Sequence, residues 1–343
     1  MRPVRAFGRA LRAGVVVGGG VAVVLGRRWR RLRRVHPELR DASLVVALPF
    51  GRWTVPVLRE ALRIGTPVLS GVDHHEVLGP PTPDGHRPGL HVYEPETPDV
   101  ELRGACVLWL HGGGFVTGSA ARDHLTCSEL ARDLGVTVVS VDYRLAPAHR
   151  HPAALEDAAS AVRWLAGGGL PGTDPSRVAV AGASAGGGLA AALVHRLHDE
   201  GPLSPALQVL VYPMLDDRTL PGSDVDDPRL VWTARSNRHG WRSLLGTEPG
   251  TSQVPVDAVP ARRVDLTGLP PTWIGVGDAD LFHDECAHHA RRLVRAGVGT
   301  ELVVVHGMIH GADASALDTT TPTREFRAAV RAAVRSGLAA PPA

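Results

Sequence analysis

A serine framed by glycines sits where chemistry is easiest to place. The stretch Val178 to Gly188 reads V-A-V-A-G-A-S-A-G-G-G. A Val-rich apolar run ends in Gly182-Ala183-Ser184-Ala185-Gly186, and a small-residue helical pattern follows from Leu189 to Leu197. Strand, sharp turn and helix form the context in which G-x-S-x-G presents a nucleophile. A hydroxyl that attacks a carbonyl must stand clear of the sheet, so its backbone is held in a strained turn. The residues two before and two after it pass too close to the strand and helix to carry side chains. The turn also aims the free N–H groups of a helix start at the place where negative charge develops. A glycine-rich strand-to-helix turn can bind phosphate instead, and the chain has 39 glycines, so the motif needs partners.

Ligands in open α/β sheets sit outside the carboxyl ends of the strands. After the apolar run ending at Leu110 comes His111-Gly112-Gly113-Gly114-Phe115. Successive glycines let backbone N–H groups turn toward one point, as the oxyanion of an acyl transfer requires. An anion-binding or merely flexible turn is the other reading. After Val276 come Asp278 and Asp280, and after Val305 come His306 and His310. Serine, acid and histidine then follow one another along the chain. The histidine would take the serine proton and the acid would hold its tautomer. Asp278 and His306 leave their strands directly. Asp280 begins a D-x-x-x-D-E pattern, and His310 lies further into its loop, where a base can reach both serine and acid.

These residues need a scaffold. From residue 104 short apolar runs at 105–110, 136–141, 178–181, 207–211, 273–276 and 301–305 alternate with helical patterns at 121–134, 153–166, 186–199, 284–296 and 323–337. That alternation predicts a mostly parallel central sheet flanked by helices. A further pair of strands is expected at 72–78 and 90–93. Residues 213–270 are too long and Pro-rich for a plain loop and read as a cap insertion. Leu44, Val45, Leu48, Val57, Leu58, Ala61 and Leu62 recur at helical spacing, so 36–66 reads as one or two amphipathic helices. The 343 residues, 44% hydrophobic and 21% charged, suit a soluble globular protein. Cys106, Cys127 and Cys286 have no metal-type spacing and read as buried free thiols.

The net charge of +2 hides an asymmetry. Residues 1–34 hold ten arginines and no acid, leaving 27 basic against 35 acidic residues in the rest. The apolar run at 13–26 is shorter than the roughly 20 residues of a bilayer span. Arginines, not a cleavage site, follow it. Basic flanks with Trp29 suit an anionic membrane surface, and a disordered basic tail has the same composition. Nucleic acid is not expected, with few aromatics in the segment and no accompanying fold. The expected compartment is the cytoplasm, with a membrane surface reached through 1–34. Oligomeric state is not fixed by the sequence.

With those motifs in place, the chain resembles the hormone-sensitive-lipase-like esterases of the α/β-hydrolase superfamily. The likeness lies in Leu108 to Thr117, Val141 to Asp157, the Gly182 to Gly187 elbow, Leu210 to Leu215, Asp280 to Glu285 and His306 to Gly311. It implies an α/β-hydrolase catalytic domain over 67–340 with a helical cap, and N-terminal cap helices over 35–66. It implies a serine carboxylesterase with Ser184 as nucleophile, Asp280 as acid and His310 as base. Gly113, Gly114 and the N–H of Ala185 would form the oxyanion hole, with Gly112 supporting the turn. Phe115, Trp232 and Trp241 are expected to line the substrate pocket. The substrate is a small-molecule ester, and no metal or organic cofactor is needed. A lipase, amidase or acyltransferase would use the same triad, and a hydrolase-fold receptor would lack a member of it. The chain departs from the family at Ala183, where Asp or Thr is common, at Gly188 for Asn, at Ala148 for Glu and at Leu281 for Pro.

Overall fold

The computed structural model describes residues 32–41, 44, 50–201, 203–219, 230–314 and 319–339. Residues 1–31, which carry most of the basic segment, lie outside the described residues. The strands are β1 Val72–Leu78, β2 Gly89–Pro95, β3 Cys106–Leu110, β4 Thr137–Asp142, β5 Val178–Ala183, β6 Leu207–Val211, β7 Thr272–Gly277 and β8 Thr300–Val305. They pair in the order β1-β2-β4-β3-β5-β6-β7-β8. The β1–β2 and β2–β4 pairs are antiparallel and the others parallel. The inner strands β3, β5, β6 and β7 are buried along their whole length. Burial on both faces is why they read as nearly continuous apolar runs, interrupted in β6 by the buried Gln208. The edge strand β1 instead exposes Asp73, His75 and Glu76, and such charge discourages pairing with another chain.

The helices are α1 Val55–Ala61, α2 His124–Leu134, α3 Ala153–Ala166, α4 Ala185–Glu200, α5 Ala234–Leu245, α6 His283–Arg295 and α7 Thr321–Ala339. α4 packs across β5, β6 and β3 and against α3, while α2 packs on β2, β4 and α7. Arg331 of α7 reaches Glu129 of α2 at 2.6 Å. The close seat of α4 explains one departure from the family. A Cβ on Gly188 would lie 2.1 Å from the Met214 carbonyl oxygen, so no asparagine fits there. All three cysteines are buried and free, and burial pushes the Cys106 thiol up to about 12.

Over 36–66 the described residues form a 3-10 turn at Pro37–Leu39, a helical position at Leu44 and the short α1, while Val45 and Leu48 of the expected pattern lie outside the described residues. Pro56 sits in the first turn of α1, and the helix ends two turns later at Leu62. So short a helix buries Val55 and leaves Val57 73% exposed, against the expected stripe. Arg59 fixes α1 instead, donating to the carbonyls of Val116 at 2.9 Å and Ala146 at 2.7 Å. The long interval after β6 carries α5 and 3-10 turns at Val256–Ala258 and Pro260–Arg262. Its buried anchor is Asp217, which accepts from Arg262 at 2.7 Å and from the Gly250 N–H at 2.6 Å. Behind the glycine loop, Arg144 joins Asp157 and Asp84, at 2.9 and 2.6 Å.

Candidate active site

The site begins where β5 turns into α4. Ser184 has φ 56° and ψ −118°, a left-handed backbone that a serine rarely adopts. The turn is locked from several sides. Ser184 N–H donates to the Val211 carbonyl at 2.9 Å, and the Ser184 carbonyl accepts from Gly188 at 3.0 Å and Met214 at 2.9 Å. Gly186 passes so close to β3 that a Cβ there would lie 2.0 Å from the Leu110 carbonyl oxygen. The crowding read from the motif is therefore a contact with the neighbouring strand.

Ser184 Oγ lies 2.8 Å from His310 Nε2. His310 Nδ1 lies 2.7 Å from Asp280 Oδ2. The other Asp280 oxygen accepts the Phe282 N–H at 2.9 Å, which fixes the carboxylate plane. Ser184, Asp280 and His310 are 5%, 2% and 9% exposed, so the chain of contacts is shielded from bulk water. The His310 ring is enclosed by Phe282 at 5.1 Å, Tyr212 at 4.9 Å and Trp232 at 6.2 Å. The competing pair goes elsewhere. His306 points out with a side chain 90% exposed, and its Nδ1 lies 2.7 Å from Asp278 Oδ2.

Gly112, Gly113 and Gly114 line a cavity of about 410 Å³ together with Ser184 and His310. Gly114 has φ 62°, and a Cβ there would lie 2.1 Å from the Trp232 ring. Tyr143 stacks on His111 at 4.0 Å and donates to the His111 carbonyl at 2.7 Å, bracing the loop from behind. Ala185 is the first residue of α4, so its N–H has no acceptor within the helix.

Of the three aromatic residues expected in the pocket, only Trp232 lines this cavity. Phe115 and Trp241 are 3% and 0% exposed and pack on each other at 5.6 Å. Both rings belong to the buried core rather than to the cavity wall. The cavity walls include residues that sequence reasoning missed: Phe50, Leu62, Trp109, Tyr212, Asp123 and Asp313. Tyr212 directly follows β6, so a search behind every strand would have found it. Asp313 stands three residues after His310, and burial pushes its carboxyl up to about 6. Burial likewise raises Asp123, although Trp109 Nε1 donates to it at 2.8 Å. Two carboxyls thus face an otherwise largely apolar chamber.

With this geometry in hand, comparison with known proteins is informative. A family model of the α/β-hydrolase fold matches residues 107–314. The chain is 38% identical to Esterase LipI of Mycobacterium tuberculosis, over 83% of this chain and 79% of that protein. It is 36% identical to the ethyl acetate hydrolase of Pseudomonas putida, over 67% of this chain and 72% of that protein. Among solved structures, a bacterial heroin esterase superposes with a TM-score of 0.79 at 33% identity, covering 90% of this chain and 99% of that one.

Proposed function

The chain belongs to the hormone-sensitive-lipase-like branch of the α/β-hydrolase family and is a carboxylic ester hydrolase, and from that premise we propose that it acts through an acyl-enzyme on Ser184. The observation that carries this reading is the relay from Ser184 through His310 to Asp280, with contacts of 2.8 and 2.7 Å at the floor of the cavity. His310 Nε2 takes the Ser184 proton as Oγ attacks the ester carbonyl. Asp280 accepts from Nδ1–H, holds the tautomer and stabilises the imidazolium. The oxyanion forms beside Gly113, Gly114 and Ala185, whose backbone N–H groups we assign as its donors, with Gly112 supporting the turn. Collapse returns the proton from His310 to the leaving alcohol. Water, deprotonated by His310, then attacks the acyl-enzyme; the acyl–Oγ bond breaks, His310 returns the proton to Ser184 Oγ, and the acid is released.

Phe50, Leu62 and Trp232 close over this floor and form the cap in this reading. The modest chamber supports small esters, in keeping with one relative's name, ethyl acetate hydrolase. A serine-directed aryl phosphonate tests the mechanism. One adduct per chain is expected by intact mass, lost in Ser184→Ala, together with turnover of p-nitrophenyl acetate. Folded protein that takes no adduct, or an adduct that persists in Ser184→Ala, overturns it.

A further inference from the structure

Three histidines meet at the antiparallel edge of the sheet. His74 lies on β1, His91 on β2 and His124 at the first position of α2. The register sets His74 opposite Tyr93 and Glu76 opposite His91. Strand alternation places these four side chains on one face. The His124 ring closes over that face, 4.8 Å from His74 and 5.4 Å from His91. His74 Nε2 is 3.2 Å from His91 Nδ1. Glu76 Oε1 is 3.6 Å from the same His91 nitrogen. One ligand nitrogen from each histidine lies within 4.8 Å of the other two.

We propose that this cluster binds a divalent transition metal of the zinc class, with His74, His91 and His124 as nitrogen ligands and Glu76 at the solvent-facing corner. A tetrahedral ion with metal–nitrogen bonds of about 2.0–2.1 Å holds its ligands about 3.3 Å apart. The separations of 3.2 and 3.6 Å already match that edge. The remaining gap to His124 asks for a side-chain shift on the order of an ångström. Three imidazoles and one carboxylate suit zinc, cobalt, nickel or copper, not the oxygen-seeking calcium and magnesium.

The proton bookkeeping is definite. The facing nitrogens of His74 and His91 share one hydrogen bond, so one of them carries a proton. Metal binding needs both lone pairs, so that proton leaves to solvent or moves to the far nitrogen of its ring. Tyr93 hydroxyl lies 2.7 Å from His124 Nδ1. Nδ1–H donating to that oxygen leaves the Nε2 lone pair for the ion, the outer contact that metal-bound histidines commonly have. The ion would tie β1 and β2 to the first turn of α2, whose next residues, Leu125 and Thr126, line the cavity. Its role is to stiffen that wall. The inference stands on this geometry alone and does not depend on the acyl-enzyme.

The test uses the full chain without a polyhistidine tag, stripped with a chelator and desalted. Competition with a chromophoric chelator is expected to give one zinc per chain. Cobalt is expected to give the visible absorption of a four-coordinate site. His74→Ala and His124→Ala should weaken zinc at least tenfold. His75→Ala, on the opposite face with Asp73 and Glu94, should change it less than twofold. Zinc at a hundredfold excess over Kd should raise the wild-type Tm by several degrees and leave that of His74→Ala unmoved. If the alanine variants do not fold, the exposed Glu76→Gln serves, with several-fold weaker zinc binding. Folded wild type without saturable one-to-one binding, or zinc lost in His75→Ala and kept in His74→Ala or Glu76→Gln, overturns the proposal.

Discussion

Asp278 and His306 make the same 2.7 Å carboxylate-to-Nδ1 contact that Asp280 and His310 make, but on the surface and away from the serine. The chain thus carries two acid–histidine pairs from the same two loops, and burial separates them. The outer pair has a structural task, because the second Asp278 oxygen accepts the Gly307 N–H at 2.6 Å. His310→Ala is expected to lower kcat by several orders of magnitude with the fold retained. His306→Ala and Asp278→Asn should cost less than tenfold. Steady-state kinetics beside circular dichroism decide it. An equal loss at His306 in folded protein would reassign the base.

Gly114→Ala should cripple the oxyanion loop. Its φ of 62° disfavours a side chain, and the new Cβ would lie 2.1 Å from the Trp232 ring. That ring cannot easily retreat, since it packs on Phe50 at 5.1 Å and its Nε1 donates to Asn237 at 3.3 Å. The loop must move, and kcat is expected to fall by about 10²–10³, the cost of losing one such donor. The KM should change little. A kcat within tenfold of wild type would remove Gly114 from the hole.

How much of this was legible in the sequence depended on how local the cause was. The inner strands could be read because burial on both faces leaves nearly continuous apolar runs, and the helix expected over 153–166 is Ala153–Ala166. Around α1 the apolar spacing located the helix at Val55–Ala61 but not its buried face, because so short a helix buries Val55 and leaves Val57 outside. Phe115 and Trp241 misled because a place in the glycine loop or in the cap interval does not say which way a ring turns. The histidine cluster was invisible for a different reason. His74 and His91 meet only through the β1–β2 register, and His124 arrives from a helix much later in the chain.

Glu285 gives the fold a pH signature. It is 8% exposed, and one oxygen accepts the N–H groups of Leu215 at 2.7 Å and Asp216 at 3.3 Å. Burial raises its pKa from the ordinary 4.5 to about 8. The folded chain then keeps a proton that the unfolded chain releases, so its contribution to stability is greatest in acid and falls as pH rises from 4.5 through about 8. Glu285→Gln removes that slope. The Tm of the variant relative to wild type should rise by several degrees between pH 5 and pH 9 in differential scanning calorimetry. A difference that stays flat across that range rejects the assignment.

The basic N-terminus can be tested at a boundary drawn from packing. Leu32 and Val35 are 6% and 2% exposed, and the His36 N–H donates to the Gly307 carbonyl at 2.9 Å. Removing residues 1–34 would strip Leu32 from the core, so the cut belongs after residue 31. That deletion removes eight arginines, each worth about 1 kcal/mol near an anionic surface. Ester hydrolysis should stay within about twofold, on the argument that Ser184, Asp280 and His310 are all carried by the sheet, at the ends of β5, β7 and β8. Cosedimentation with phosphatidylserine vesicles at low salt should drop sharply. Equal binding by both forms would reject the membrane-surface reading.

Trp232 sets the size of the chamber. It is 4% exposed, lines the cavity, and stands between Phe50 and the His310 ring. A cavity of about 410 Å³ with that ring in place favours short acyl chains. In a p-nitrophenyl ester series from acetate to decanoate, wild-type kcat/KM should peak at the short end. Trp232→Leu keeps the wall apolar while vacating the volume of an indole, so the peak should move toward longer chains. Turnover of acetate should fall several-fold, because the imidazole loses one of its three aromatic neighbours and is held less firmly against Ser184. The shift in chain preference and the loss on acetate separate volume from positioning. A wild-type kcat/KM that climbs steadily to decanoate would overturn the short-chain reading in favour of a lipase, and an unchanged profile in Trp232→Leu would take Trp232 out of substrate selection.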